Sequence, residues 1–514
     1  MYYSEMDLIN AKISAMGAIS EGKVIDYIVQ EDIASAAKNA MCEGVRYYNS
    51  DHDSLRKSYN VSDISETEEG EDGYEKETVR RFENPNRSNH HNVHAFHKVL
   101  VDQKVSYLVG REPTISVMGA ESDESLKAYE DMVCSAADEA FDEMLQDLVR
   151  GASNKGYEVL HFYYDETGEL KYCIVPAEET VLIYDSQYQK KLEQVIRYYT
   201  MSEIRDGVTY QRRRVEWWTA ENVTYYKEKE EHVYVRDRDR AVNPAAHWFD
   251  IRLTDGMEKK RTPHSWGKVP FIVLENNSGR TTDLKPIKGL IDAYDYISSE
   301  GTNNFLDLVD LYWIINGYGG ETAGAIVKKL KINKAVSVSG GEGEGIKAQQ
   351  VNLPVTERLE FLKMLRHDIY HLGMGIDIDD DRFGNTPSGV ALKFRYANLR
   401  HKADSVATKL KKAIKEFYWF ITDDYNRKNG TAYDSALIKI TLNYSQISND
   451  LETVQILTSS EGILSKKTQI ENHPLVTDVN DELERLEEEE KSREDKYNDL
   501  NMTKPQDGDG IIEE

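Results

Sequence analysis

The sequence predicts an α+β protein, and three observations carry that prediction. Apolar residues recur at helical spacing in several stretches, alternation broken by turn residues fills much of the chain from Tyr157 to Asn276, and no Gly or Pro interrupts it between Gly389 and Asn426. A length of 514 residues allows about three domains and a sizeable core. The 64 basic and 91 acidic residues leave a net charge of −27. That excess disfavours a protein that grips nucleic acid by neutralising phosphates, because such binding needs a basic surface. It leaves room for a protein that DNA must pass without sticking. Cys42, Cys134 and Cys173 lie far apart with no CxxC pair, so no disulfide framework or cysteine zinc site is readable and a reducing compartment is expected. The start MYYSEMDLINAKISAMG lacks the basic and apolar pattern of a secretory leader. Apolar runs stay short of the roughly eighteen residues a membrane span needs, so the chain reads as soluble.

Ile25, Ile28, Val29, Ile33, Ala36 and Ala40 predict one amphipathic helix from Val24 to about Tyr48. Ser62–Glu77, SDISETEEGEDGYEKE, is acidic and poor in aliphatics, and reads as an exposed mobile loop. Val93, Phe96, Val99 and Leu100 predict a helix from about Asn89 to Val109, stopped by Gly110 and Glu112-Pro113. A third helix, roughly Ser125–Arg150, leads into YEVLHFYYDETGELKYCIVPAEETVLIYD, a hairpin or meander turned at Asp165, Glu166 and Gly168. Strands around Val195–Met201, Arg214–Trp218 and Val223–Lys227 extend a largely antiparallel sheet, and the linker NNSGRTTDLKP closes the region.

Ile287–Ile315 is the most informative stretch. On a helical wheel with Asp292 at zero, Leu290, Ile291, Tyr294, Ile297, Phe305, Leu308, Val309, Tyr312 and Ile315 cluster around the side spanning about 140° to 260°, while Asp292, Asp295, Glu300, Asp307 and Asp310 span about −60° to 80°. One face is expected to pack and the other to be a carboxylate stripe. No Lys or Arg occurs from Gly289 through Val327, so the stripe lacks the i,i+4 basic partners of an ordinary exposed helix and repels anions.

Gly317, Gly319, Gly320 and Gly324 break this helix, and Ile332–Gln350 reads as short strands around GGEGEG, a small α/β unit. After Pro354, a helix over about Thr356–Leu372 can return antiparallel to the acidic one. GMGIDIDDDRFGNTPSG must be a loop. The uninterrupted run from Ser388 to about Asn426 predicts a helix about 55 to 60 Å long. It is the basic element of the chain, carrying Lys393, Arg395, Arg400, Lys402, Lys409, Lys411, Lys412 and Lys415. A strand at Leu437–Tyr444 and helices at Asp450–Ser459 and Lys467–Asn472 follow, before an acidic tail from Asp481 that is helical through DELERLEEEEKSRED and disordered at its end.

Chemical motifs are few. His90, His94 and His97 would fall within about 60° of one another on a helix, the best metal-like cluster, yet no HExxH carboxylate accompanies them and a solvated face is the plainer reading. Asp377, Asp379 and Asp381 imitate the start of a calcium loop, but Arg382 stands where its glycine belongs. Gly343, Gly345 and Ala348 match a degenerate GxGxxA, but Val351-Asn352-Leu353-Pro354 follows where a phosphate-binding helix should begin. GxxxxGK[ST] and GxSxG are absent. No cofactor, metal or catalytic residue is assigned. The rival to a non-enzymatic reading is a metal-dependent enzyme acting on nucleic acid through the histidines or through Asp377–Asp381, and a soluble cytoplasmic scaffold is the blander third.

NVHAFHKVLVDQKVSYLVGREPTI, GYEVLHFYYDETGELKYCIVPAEETVLIYD, GKVPFIVLENN, LIDAYDYISSEGTNNFLDLVDLYWIINGYGG and FGNTPSGVALKF occur in this order across roughly Ala40 to Tyr444. In that ordered set the chain resembles the portal proteins, or head–tail connectors, of tailed double-stranded DNA phages, of the siphophage type of Gram-positive hosts. The resemblance implies a portal fold assembled as a ring of about twelve subunits, with an α/β wing, helical stem, small α/β clip and helical crown. It implies a wing over 1–276, a first stem helix over 277–315, a clip over 316–354, a second stem helix over 355–374 and a tunnel loop over 375–388. A long wing helix and strand over 389–445, a crown over 446–480 and an acidic tail over 481–514 complete it.

On this resemblance the stem would line a DNA channel with Asp292, Asp295, Glu300, Asp307 and Asp310. The tunnel loop would carry Asp377, Asp379, Asp380, Asp381 and Asn385, and Lys393, Arg395, Arg400 and Lys402 would be candidate inter-subunit contacts. The implied partners are the terminase large subunit, a head-completion or adaptor protein, major capsid and scaffolding proteins, and double-stranded DNA that passes without sequence-specific binding. The implied location is the portal vertex of the virion, after synthesis in the host bacterial cytoplasm.

Overall fold

The computed structural model describes residues 4–15, 20–69, 75–83, 87–120, 122–185, 191–205, 207–254, 257–307, 312–316, 345–349, 355–377, 389–445 and 450–473, with scattered positions from 475 to 491. At 62–69, 75–82, 205, 251–254, 257–260, 312–316, 345–349, 389–393, 450–453 and 471 it describes the backbone alone. The chain divides into two compact units, 1–377 with 398–445 and 378–397 with 446–514.

The predicted helix from Val24 to Tyr48 is two helices. After α1 (Glu5–Ala15) come α2 (Glu21–Ile33) and α3 (Ala36–Tyr48), separated where the Ser35 side chain accepts from Lys38 N and caps α3. A cap residue offers its side chain to the first free amides of a new helix, which is what breaks the longer periodicity. In the acidic stretch expected to be a loop, the described residues belong instead to an antiparallel pair, β1 (Val61–Glu69) and β2 (Glu75–Glu83), whose register sets Asp63 opposite Arg81 and Glu68 opposite Lys76. Counting acids hid the β-branched Ile64 and Thr67 within it and Val61, Thr78 and Val79 at its edges. The next helix, α4 (Phe96–Val109), starts seven residues later than predicted, because 87–95 takes no regular secondary structure.

Beyond β3 (Thr114–Val117), the single helix predicted over Ser125–Arg150 is again two, α5 (Glu124–Ser135) and α6 (Glu139–Lys155), with Asp138 accepting from Phe141 N at the break. Gly156 ends α6 at φ +90°, where a Cβ would also meet the Arg280 carbonyl oxygen at 2.2 Å, so glycine is required there. The predicted meander is β4 (Tyr157–Tyr164), β5 (Leu170–Val175) and β6 (Thr180–Tyr184). Then come β7 (Leu192–Arg205), β8 (Val208–Trp218), β9 (Asn222–Glu230), β10 (Val233–Arg236), β11 (Ala245–Ala246), β12 (Trp248–Thr254), β13 (Met257–His264) and β14 (Phe271–Glu275). The sheets are antiparallel, the largest in the order β10-β9-β8-β7-β6 with β11 on β9, and a second in the order β14-β4-β5.

The acidic helix α7 (Lys288–Asp307) does not run to the predicted stop, since Tyr312–Asn316 is a strand, β15, paired with β16 (Gly345–Gln349). Tyr312-Trp313-Ile314-Ile315 is aromatic and β-branched, a composition that favours a pleated strand. The returning helix α8 (Val355–Leu372) and the long helix α9 (Gly389–Asn429, 41 residues) fall where expected. β17 (Ile438–Thr441) pairs with β3, and α10 (Asp450–Ser459) and α11 (Lys466–Glu471) follow.

Three clusters hold the larger unit. Val24, Ile25, Ile28 and Val29 of α2 pack on Ile183, Ile196, Tyr198 and Val215 of the large sheet. Phe141, Phe162, Phe417 and Phe420 fix α9 against α6 and β4, with the Phe162 and Phe420 rings stacked at 4.4 Å. Tyr47, Phe96, Leu100, Ile287, Ile291 and Ile369 join α3, α4, α7 and α8. This last cluster is small, and it places α7.

Candidate functional site

The two faces of α7 do not divide as the wheel predicted. Ile291, Asp295, Ser299 and Asn303, four residues apart, are its buried positions, whereas apolar Phe305 is 67% exposed. The polar face is buried because extended residues 88–94 lie along it, antiparallel. Ser88 N donates to Asp307 Oδ1 (2.9 Å), His90 N to Asn303 Oδ1 (2.7 Å), Asn92 N to Ser299 Oγ (2.9 Å) and His94 N to Asp295 Oδ1 (2.9 Å). Asn303 Nδ2 returns a bond to the His90 carbonyl at 3.0 Å. Two extended residues advance about 6.6 Å and four helical residues about 6.0 Å. The two repeats therefore stay in step for four rungs. Backbone donors without a sheet partner must be satisfied somehow, and here a helix does it with side chains.

Asp295 forms the last rung of the rail and has 0% exposure. Its Oδ2 accepts from His52 Nδ1 at 2.5 Å and its Oδ1 from His94 Nδ1 at 2.8 Å. The His52 ring stacks on Tyr47 at 4.4 Å, and its Nε2 faces the Tyr47 carbonyl at 3.2 Å. Tyr47 donates its hydroxyl to Asp292, whose other oxygen takes Lys288 Nζ at 2.7 Å. Burial and the Asp292 carboxylate push the Tyr47 phenol well above its ordinary value. Lys288 also reaches Asp53 at 2.8 Å, and although burial opposes it, Lys288 and Arg46 hold the Asp53 carboxyl down at about 2.

The stripe is thus not an open row of carboxylates. Asp295 is sealed inside the chain, where two imidazoles and a backbone amide occupy its lone pairs. Asp292 and Asp307 are half-buried and partnered, Glu300 makes no hydrogen bond or ion pair among the described residues, and Asp310 lies outside them. The basic partner that the sequence seemed to lack is Lys288, one residue before the base-free stretch begins.

His90, His94 and His97 do not share a helix face. His94 and His90 belong to the extended rail, while His97 is on α4, fully buried, with Nε2 at 3.0 Å from Asn154 Oδ1. Burial lowers His97 to about 4. No group of three metal-ligating side chains occurs among the described residues. His52, Tyr47, Ser299 and Asn303 were missed by sequence reasoning, although Asp295, Ser299, Asn303 and Asp307 at four-residue spacing, opposite Ser88, His90, Asn92 and His94 at two-residue spacing, carried the signal.

The exit of α8 forms a second polar node. Gln103 on α4 grips both backbone groups of Ile376 (2.8 and 2.9 Å), and Arg366 pairs with both oxygens of Asp377 (2.8 and 2.6 Å). Asp377 is therefore part of an anchored root. Asp379, Asp380, Asp381 and Asn385 lie outside the described residues. Lys402, expected as an inter-subunit contact, is spent inside its own chain on Asp283 (3.2 Å) and the Gly373 carbonyl (2.9 Å). Lys104 joins the same carboxylate at 3.1 Å, and burial lowers Lys104 to about 8. Arg400 is exposed beside Asp404 at 3.7 Å; Arg395 stands on α9, and the Lys393 side chain lies outside the described residues.

No helix among the described residues is long and apolar enough to cross a membrane. A family profile described as phage portal protein, SPP1 Gp6-like, matches residues 32–496. The chain is 30% identical to the portal protein of Bacillus phage SPP1 over 467 residues, 90% of this chain and 86% of that one. It is 31% identical to the portal protein of Clostridium phage phiCD119 over 435 residues, 80% of this chain and 87% of that one. A match over nearly the whole length, to portal proteins of phages of two Gram-positive genera, settles what the ordered motifs and the α+β architecture suggested: the chain belongs to the SPP1 Gp6-like family of phage portal proteins.

Proposed function

We propose that the protein assembles as a closed ring of about twelve copies at one vertex of the capsid and that double-stranded DNA passes through the ring during packaging and ejection. The family match across residues 32–496 is the observation that carries this reading. In it, 1–276 forms the wing, α7 and α8 the stem, and the residues between them the clip that meets the terminase large subunit and later a head-completion protein. Residues 375–388 form the tunnel loop, and the C-terminal helices form a crown that, with the wing, meets capsid and scaffolding proteins. The ring is a conduit and docking platform with no catalytic role.

The electrostatic part of the reading is narrower than a bare carboxylate wall. Asp292 and Asp307 are partnered within the chain but keep partial exposure. Repeated around a ring, the partly exposed Asp292 and Asp307 of each copy make a negative belt that keeps a polyanion sliding instead of binding. Negative-stain microscopy of the purified protein tests the reading: rings with a central hole are expected, and particles that never close at any protein or salt concentration would overturn it.

A further inference from the structure

The pair α7 and α8 carries an apolar surface that the other described residues leave open. Phe305 is 67% exposed, Leu306 45%, Val355 55% and Leu359 51%. Between the helices lies a groove of about 400 Å³, lined by Ile297, Phe305, Leu306, Val355 and Leu362. Contiguous exposed apolar area of this kind marks a contact surface. Arg358 lies across the groove at Gly301, where a Cβ would stand 2.6 Å from its Nη1. Arg358 and Glu300 make no ion pair or hydrogen bond among the described residues. On the α7 wheel, Glu300 sits about 100° to 140° from Gly301 and Phe305. An unpaired cation thus marks one flank of the helix pair and an unpaired carboxylate the other.

We propose that this groove receives the next copy of the chain in the ring, with Arg358 of one copy pairing with Glu300 of the next. The inference rests on the ring reading and names the contact within it. A closed ring is built from heterologous contacts, in which one flank of each copy meets the opposite flank of its neighbour. Here the two flanks are complementary in charge, and the apolar groove provides a desolvated setting in which a charge pair fixes register and partner.

The test uses the full chain and reads assembly against concentration by native mass spectrometry. Glu300→Arg and Arg358→Glu are each expected to raise the half-assembly concentration about tenfold or more, and the double swap to bring it back within about threefold of the parent. Glu300→Gln and Arg358→Gln, too conservative to unfold either helix, should weaken assembly in the same direction, and Phe305→Asp should abolish it with the melting of the unassembled chain unchanged. Single swaps that assemble like the parent, or a double swap that stays defective, overturn this contact and leave the ring standing; the groove then belongs to another partner. A parent chain that forms no ring overturns the ring reading and the contact together.

Discussion

Replacing Asp295 by Asn removes one charge and almost no volume, and the structure says what that does. The carboxylate accepts from His52 Nδ1, His94 Nδ1 and His94 N with 0% exposure. Asparagine keeps one acceptor oxygen and turns the other into an amide N–H₂ that meets an imidazole N–H. A buried donor left without a partner costs about 1–3 kcal/mol, and a lost bond to a charged acceptor about 1.5–3 kcal/mol. Because the two overlap, about 3 kcal/mol is the expected total, near the lower bound for breaking a buried charged pair. That corresponds to about a hundredfold in the population of the opened rail.

Hydrogen exchange reads it directly, since Ser88, His90, Asn92 and His94 owe their amide protection to α7 side chains and open as a local unit. In Asp295→Asn, exchange at His94 should accelerate about a hundredfold, spreading toward Ser88, while the β7–β8 amides hold their rate. An unchanged rate at His94 would refute the claim that Asp295 holds the segment.

Three further outcomes follow from other sites. Burial keeps His97 and His247 down at about 4 and His161 at about 3; the unfolded chain binds more protons below about pH 6.5, so stability should fall as pH drops from 6.5 toward 4 by up to about 1.4 kcal/mol per unit for each ring. Urea midpoints that do not change between pH 7 and 5 would contradict this. Lys104 and Lys268 are both lowered by burial to about 8, so between about pH 8 and 9.5 the unfolded chain holds protons the folded one releases, stability should rise, and Lys104→Met should roughly halve that slope. Gly375→Ala would set a Cβ 2.0 Å from Leu100 Cδ2 and should cost about 1–3 kcal/mol; thermal melts should show Leu100→Ala recovering part of the loss, and two additive penalties would refute the clash.

Element types were legible in the sequence wherever periodicity was long. α8, α9 and the antiparallel meander fall within a few residues of their predicted places. Breaks that depend on one capping side chain were not, because Ser35 and Asp138 interrupt apolar patterns that continue in phase on either side. The stripe on α7 shows the deeper limit. Its wheel correctly separated polar from apolar residues, yet much of the polar side is buried, since Asp295, Ser299 and Asn303 satisfy another segment's backbone. Burial of polar atoms is decided by a partner far away in sequence, here residues 88–94, and a wheel holds no information about it. Lys402 failed for the same reason: a basic helix reads as a surface until Asp283, more than a hundred residues earlier, is seen to claim it.

The claim that organises all of this is that copies of this 59.0 kDa chain close into a ring. Native mass spectrometry of the purified protein measures it most directly. The account predicts one dominant species near 0.7 MDa, the mass of about twelve copies, present across a range of protein concentrations. A chain that stays at 59.0 kDa at every concentration and salt would contradict it.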